Sequence, residues 1–186
     1  AAVDNVSLEI HRGEFTAIAG PSGSGKSTLL NILSGLDTPT SGRVFLDRRE
    51  ISEMSGSELS DFRRDHIGFV FQSYNLIPVL TAAENAEYVM LLQGRAAAER
   101  RHRVREIFAE VGLQGMEGRK PQQLSGGQQQ RVAIARAMAS RPDLIPANDP
   151  TANVDSTTGA ALIDMMRQLN EKQGMTFLFS THDHMI

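Results

Sequence analysis

Two stretches of this sequence carry residue types at spacings that chemistry could use. The first, Gly20-Pro21-Ser22-Gly23-Ser24-Gly25-Lys26-Ser27-Thr28, fits the pattern G-x-x-x-x-G-K-[ST]. Its three glycines let the backbone curl until successive N–H groups converge on one point, and the helix that follows adds the positive end of its dipole. A phosphate suits that cradle. Lys26 then reaches the β- and γ-phosphates of a nucleoside triphosphate, and the Ser27 hydroxyl ligates Mg²⁺. The second stretch is Leu124-Ser125-Gly126-Gly127-Gln128-Gln129-Gln130-Arg131, where Ser125 is placed to cap a helix that starts in bare glycines. A hydroxyl, open N–H groups and a helix dipole again point toward an anion. Alone, such a start is only an N-cap; downstream of a phosphate loop it reads as a second half of the same chemistry.

The elements around these stretches are those the chemistry needs. Phe15-Thr16-Ala17-Ile18-Ala19 reads as a short buried strand that delivers the chain to the loop, and Leu29–Gly35 as a helix stopped by glycine. Strand, glycine-rich turn and helix is the context that supports a phosphate loop. Upstream, Ala2–Ile10 alternates apolar and polar residues like a half-exposed strand. Further strands are expected at Arg43–Leu46 and at Ile67–Phe71, the latter ending at Gln72, with a polar helix over Ser57–Arg64 between them. From Tyr74 to about Arg141 the pattern predicts helices and no strands. Thr81-Ala82-Ala83-Glu84 has the spacing of a capping box for a helix running to Leu92, and Val104, Ile107, Phe108 and Val111 form one apolar stripe on the next helix. The basic cluster Arg100-Arg101-His102-Arg103 reads as a solvated helix face. Strand-like sequence returns at Leu144–Ala147 and Met175–Phe179, separated by a helix over Ser156–Asn170.

Bulk properties exclude several function classes. A chain of 186 residues, 40% hydrophobic and 22% charged with net charge -3, is an ordinary globular composition and gives no electrostatic reason to expect a nucleic-acid partner. With no cysteine there are neither disulfides nor thiolate metal sites. No apolar run approaches the roughly 18–20 residues of a membrane span, so any membrane role is expected to come through a partner. The chain opens inside strand-like sequence and closes just past a motif, and so reads as trimmed at both ends.

Taken together, the motifs resemble those of the ATP-binding subunits of ABC transporters, in family order along the whole chain. Leu124–Arg131 looks like the family's signature motif, Gln72 like the Q-loop glutamine and Asp155 like the D-loop aspartate; His182, in Ser180-Thr181-His182-Asp183, looks like the switch histidine. Phe71–Pro78 and Leu80–Asn85 are most similar to the lipoprotein-release and macrolide-export branch. The resemblance implies an α/β fold: a P-loop NTPase core over 1–73 and 142–186, an inserted helical signature subdomain over 74–141, and an N-terminal antiparallel β portion. It implies ATP and Mg²⁺ as cofactors. It also implies a head-to-tail pair of subunits, each ATP lying between residues Gly20–Thr28 of one and Ser125, Gly126, Gly127 and Gln128 of the other, with Asp155 nearby. Ser27, Gln72 and Asn148 would lie on the metal side; Asp149, His182 and Gln72 would serve hydrolysis. Transmembrane permease subunits are the implied partners, which places the chain peripherally on the cytoplasmic face of the membrane.

One segment departs from the family. Where the pattern has four apolar residues and Asp-Glu-Pro-Thr, this chain has Leu144-Ile145-Pro146-Ala147-Asn148-Asp149-Pro150-Thr151. Pro150-Thr151 and Asp155 fix the frame, so Asn148 stands at the metal-side aspartate and Asp149 at the catalytic glutamate. Asn148 keeps the shape but loses the charge that offsets Mg²⁺, and Asp149 is one methylene short of the water it should polarise. Pro146 removes a ladder donor from what should be a central strand. The expectation is intact ATP binding with slow turnover; a nucleotide-gated binding or regulatory module is the alternative. A soluble repair or translation protein fits less well, because the interval between the motifs leaves no room for a coiled coil and the chain has a single set of motifs. No aromatic residue precedes Phe15 to stack on adenine, so the preference for ATP rests on the resemblance.

Overall fold

The computed structural model describes residues 2–182. A three-stranded parallel sheet, in the order β1-β5-β4, forms the centre: β1 is Phe15–Ala19, β4 Ile145–Asn148 and β5 Phe177–Thr181. β5 lies in the middle and is buried along its whole length, as its continuous apolar run requires when both faces are covered. Phe15 pairs with Phe177 and Ala19 with Thr181 on one side, Ile145 with Phe177 and Asn148 with Ser180 on the other. This register brings the ends of all three strands to one edge, where the chain turns into the phosphate loop, Asp149 and His182.

Pro146 acts where the sequence places it. Residues 67–70 run parallel to β4, with Leu144 N–H donating to His66 O and Asn148 N–H to Val70 O. The ladder's alternation puts the Pro146 nitrogen opposite the Gly68 carbonyl, and proline has no proton to give. The predicted strand 67–71 is therefore reduced to two isolated bridges, Ile67 to Leu144 and Val70 to Ala147. Gly68 is required here for a different reason: a Cβ would overlap the Ala137 carbonyl oxygen and sit 2.7 Å from its carbon.

Helices α1 (Lys26–Leu33), α2 (Gly56–His66), α3 (Ala82–Leu92), α4 (Ala97–Glu110), α5 (Gly126–Ala139) and α6 (Ser156–Gln173) complete the fold with a short 3₁₀ turn at Pro121–Gln123. Between Gln72 and Arg141 every regular element is helical. Ser55 with Glu58, Thr81 with Glu84 and Ser125 with Gln128 form capping boxes at the starts of α2, α3 and α5. α5 is buried almost all round, and α3 and α4 pack against it; Val104, Ile107, Phe108 and Val111 supply the α4 side of that core.

Three further expectations need correction. Residues 2–10 form no strand: Asn5 takes a positive φ of 49°, and Val6 and Leu8 stay 54% and 47% exposed. Alternation makes a strand only when an edge is available to pair with, and none meets this segment. The antiparallel portion is a hairpin of β2 (Phe45–Leu46) and β3 (Arg49–Glu50), turned by Asp47 and Arg48, both at positive φ, so the strand expected from Arg43 is shorter. The basic cluster is not a uniformly solvated face. Arg103 is buried, donating to Met138 O, and Arg100 pairs with Glu87, while Arg101 and His102 are exposed.

Candidate functional site

The phosphate loop turns directly from β1 into α1. Gly25 caps α1 at φ 88°, a conformation costly for any residue with a side chain, and a Cβ there would overlap the Ala2 carbonyl oxygen. Lys26 opens the helix, and its Nζ donates to Gly20 O at 2.7 Å and Pro21 O at 2.8 Å. The lysine thus folds back over the loop that would cradle a phosphate. Pro21, Ser22, Gly23 and Ser24 are exposed, as a loop awaiting an anion should be.

At the foot of the loop, side chains from three elements meet. Asn148 Oδ1, at the end of β4, accepts from Ser27 Oγ at 2.9 Å and from Ser180 Oγ at 2.8 Å. The Ser180 hydroxyl oxygen in turn accepts from Asp149 N–H at 3.0 Å, and Asp149 Oδ2 lies 2.7 Å from His182 Nδ1. One chain of hydrogen bonds therefore runs from the phosphate loop to His182. Asp149 is the tense member: its φ is 46°, and its Oδ1 is buried without a partner. Its other oxygen is held by His182, so neither oxygen is free to face outward. Asp183, the last residue of the histidine motif, lies outside the described residues.

Sequence reasoning missed Ser180, which is 1% exposed and ties Asn148 to the Asp149 backbone. No local signal marked it: Ser180 and Thr181 both end the strand with a hydroxyl, and the partners of Ser180 lie about thirty positions away in sequence. Gln72 exposes its side chain, while its carbonyl accepts from Asn153 Nδ2 at 2.8 Å. Asp155 caps α6, accepting from Thr158 N–H at 2.9 Å and Thr158 Oγ1 at 2.7 Å; the Thr158 hydroxyl and then its N–H hold the carboxyl below its ordinary range. Ser125 and Gln128 bond to each other, Ser125 N–H to Gln128 Oε1 and Gln128 N–H to Ser125 Oγ. The structure thus brings together Lys26, Ser27, Asn148, Asp149 and His182; it does not join Ser125–Gln128 to them.

The loop's geometry fits a nucleotide triphosphate. The fit to Mg²⁺ is narrower. Ser27, Asn148 and Gln72 are all neutral oxygen donors, and the described residues contain no cluster of three or more His, Asp or Glu able to hold a metal. Ser27 donates its proton to Asn148 and so keeps its lone pairs for a cation. These residues suit an ion that arrives on the phosphates and brings its own charge balance.

A family model described as ABC transporter matches residues 3–152. The chain belongs to the ABC transporter family. It is an ATP-binding cassette of the ABC ATPase type. An uncharacterized ABC transporter ATP-binding protein of Methanocaldococcus jannaschii, MJ0796, is 50% identical over 98% of this chain and 79% of its own length. A macrolide export ATP-binding/permease protein, MacB, of Mannheimia succiniciproducens is 46% identical over 96% of this chain, which spans 28% of that longer protein. Among solved structures, a dimeric post-hydrolysis state of MJ0796 bound to ADP and Pi superposes with a TM-score of 0.89 at 48% identity, covering 98% of this chain and 80% of that one. The cassette also resembles cbiO1 of Clostridium perfringens, part of the cbiONQ transporter complex, with a TM-score of 0.88 at 29% identity and coverage of 98% and 72%.

Proposed function

We propose that this cassette is the energy-coupling subunit of a transporter of the lipoprotein-release or macrolide-export branch, pairing head-to-tail with a second copy around two ATPs and driving separate membrane subunits. The observation that carries the reading is the hydrogen-bonded series Ser27, Asn148, Ser180, Asp149 and His182 at the sheet's edge, beside the loop that Lys26 folds over, in a chain whose signature residues stand apart from it. One chain then holds two half-sites. Residues Gly20–Thr28 bind the phosphates; Ser125, Gly126, Gly127 and Gln128 meet the γ-phosphate of the partner's nucleotide; Asp155 lies at the seam. Residues 1–73 and 142–186 act as the nucleotide core and 74–141 as the signature subdomain. Magnesium would be held by Ser27, Gln72 and Asn148 together with phosphate oxygens, and would supply charge neutralisation. A groove of about 290 Å³ lined by Leu36, Phe69, Phe71, Val89 and Leu92 would receive the membrane subunit. On this reading the cassette sits at the cytoplasmic face of the membrane; no helix of the described residues is long and apolar enough to cross it.

The same geometry favours slow turnover. Asp149 would have to leave His182, or lengthen, before a carboxylate oxygen could take a proton from water, and Asn148 contributes no charge. This arrangement supports a second reading, a cassette that closes on ATP and acts as a gate. Binding of a fluorescent ATP analogue, measured beside phosphate release on one preparation, tests both. Binding with ready phosphate release sinks the gate, and absence of binding sinks the whole proposal. Lys26→Ala is the control: loss of a charge-assisted contact of about 1.5–3 kcal/mol weakens binding about 10–150-fold.

A further inference from the structure

The segment Gln72–Asn75 leaves the sheet in an unusual way. Tyr74 and Asn75 take consecutive positive φ values of 61° and 49°, and neither is glycine. Two such residues in a row persist only where the surroundings hold them. Here two separate elements do so. Arg136, from the last turn of α5, donates from Nη1 to Asn75 O at 2.5 Å and from Nη2 to Tyr74 O at 2.8 Å. Asn153, from the loop after Asp149, donates from Nδ2 to Gln72 O at 2.8 Å, while its own carbonyl accepts from Tyr74 Oη at 3.2 Å. The first turn of α5 also closes on this knot, since a Cβ on Gly126 would sit 3.1 Å from the Tyr74 oxygen and 3.7 Å from Asn153 O.

Arg136 is committed to this task. Among the described residues it makes no ion pair, and burial pulls its guanidinium below the usual arginine range. A guanidinium fork spanning two successive carbonyls is a contact that lysine cannot copy. Such an arrangement is costly as mere packing and effective as a fixed linkage between α5 and the segment that carries Gln72.

We propose that Arg136 and Asn153 are positioning residues that transmit nucleotide occupancy from the phosphate loop of one composite site to the Ser125–Gly127 segment serving the other. This rests on the head-to-tail reading above. Gln72 senses nucleotide at its own chain's loop; Asn153 and Tyr74 tie its backbone to the segment between Asp149 and Asp155; Arg136 and Gly126 carry any displacement into α5. Both half-sites of one subunit are thereby set by a single four-residue segment.

Hydrogen exchange on the full chain, with and without ATP, separates the possibilities, and Arg136→Lys and Asn153→Asp are the variants. Both keep side-chain size near the original, but the first loses the fork and the second the donor. In the wild type, ATP should protect residues 20–28, 72–76 and the first turn of α5. In each variant, protection should remain at 20–28 and disappear from α5, with Tm unchanged and ATP affinity held within about twofold. Cooperativity between the two ATPs in dimer titrations, typically a coupling of about 5–150-fold, should fall toward unity. A merely structural role for these residues would lower thermal stability and leave that coupling in place. Variants that still transmit protection to α5 overturn the proposal, as does a wild type protected at 20–28 alone. A wild type with no protection at 20–28 defeats the function reading itself, and this inference with it.

Discussion

Converting Asn148-Asp149 to Asp-Glu should speed hydrolysis and cost stability at the same time. At position 148 the change is isosteric, and an aspartate oxygen accepts the Ser27 and Ser180 hydroxyls as the asparagine does. At position 149 the carboxylate advances by about 1.5 Å, one carbon–carbon bond. Asp149 now spends one oxygen on His182 at 2.7 Å and buries the other unpartnered, so water has no free acceptor. A displacement of about 1 Å can cost about 10²-fold in rate, and a positioned general base contributes about 10²–10⁴-fold. Phosphate release by the double variant should therefore exceed the wild type by about 10²–10⁴-fold, with ATP affinity little changed. The opposing term comes from φ 46°, which aspartate tolerates better than glutamate. A strain of about 1 kcal/mol lowers Tm by about 2–4 °C in a domain of this size. The assay is steady-state phosphate release with saturating Mg-ATP, beside a fluorescent-nucleotide titration. A wild-type rate already in the range of about 1–100 s⁻¹, as phosphoryl-transfer enzymes of the kinase type reach, would refute the reasoning. So would a double variant that binds ATP equally well and gains less than about tenfold.

Other outcomes follow from the fold. Gly68→Ala drives a methyl into the Ala137 carbonyl, backbone that cannot rotate away, and should cost about 1–3 kcal/mol, read as a lower midpoint in urea. Pro146→Leu supplies the missing N–H opposite Gly68 O, so hydrogen exchange should reveal a new, slowly exchanging amide at 146; rapid exchange there would show that the ladder is broken for some other reason. Asp155, Glu84 and Glu58 are each held below their ordinary values of 3.8, 4.5 and 4.5, by hydrogen bonds from Thr158, Thr81 and Ser55 respectively. A depressed carboxyl stabilises the fold above its unfolded value and loses that contribution as pH falls through the folded one. Tm should therefore be insensitive to these groups near neutrality and drop as pH falls from the mid-fours downward. Asp155→Asn should flatten part of that drop.

What could be read from the sequence was mostly what the chain decides locally. The strand Phe15–Ala19 matches the expected bounds because a buried apolar run closed by a glycine turn has little alternative. The caps at Thr81 and Ser125 follow from side chains three residues apart. Residues 2–10 misled because alternation describes a face and says nothing about whether an edge exists to pair with. Pro146 was legible as a missing donor, but its consequence, the fragmentation of 67–71, depends on which neighbour the nitrogen faces. In the site, Lys26 and Ser27 were legible from the loop alone. Ser180 and Arg136 were not, since each acts on groups that lie far away in sequence. The basic cluster shows the same limit: Arg103 turns inward because its helix happens to lie over α5.

The cap on α5 has a consequence for what that helix can grip. Ser125 N–H and Gln128 N–H are already spent on each other's side chains. An arriving anion is left with the Ser125 hydroxyl proton and the N–H groups of Gly126 and Gly127, which have no partner among the described residues. On the head-to-tail reading these donors would meet only the terminal phosphate of the partner's nucleotide, so the start of α5 would feel whether a third phosphate is present and be indifferent to the nucleoside behind it.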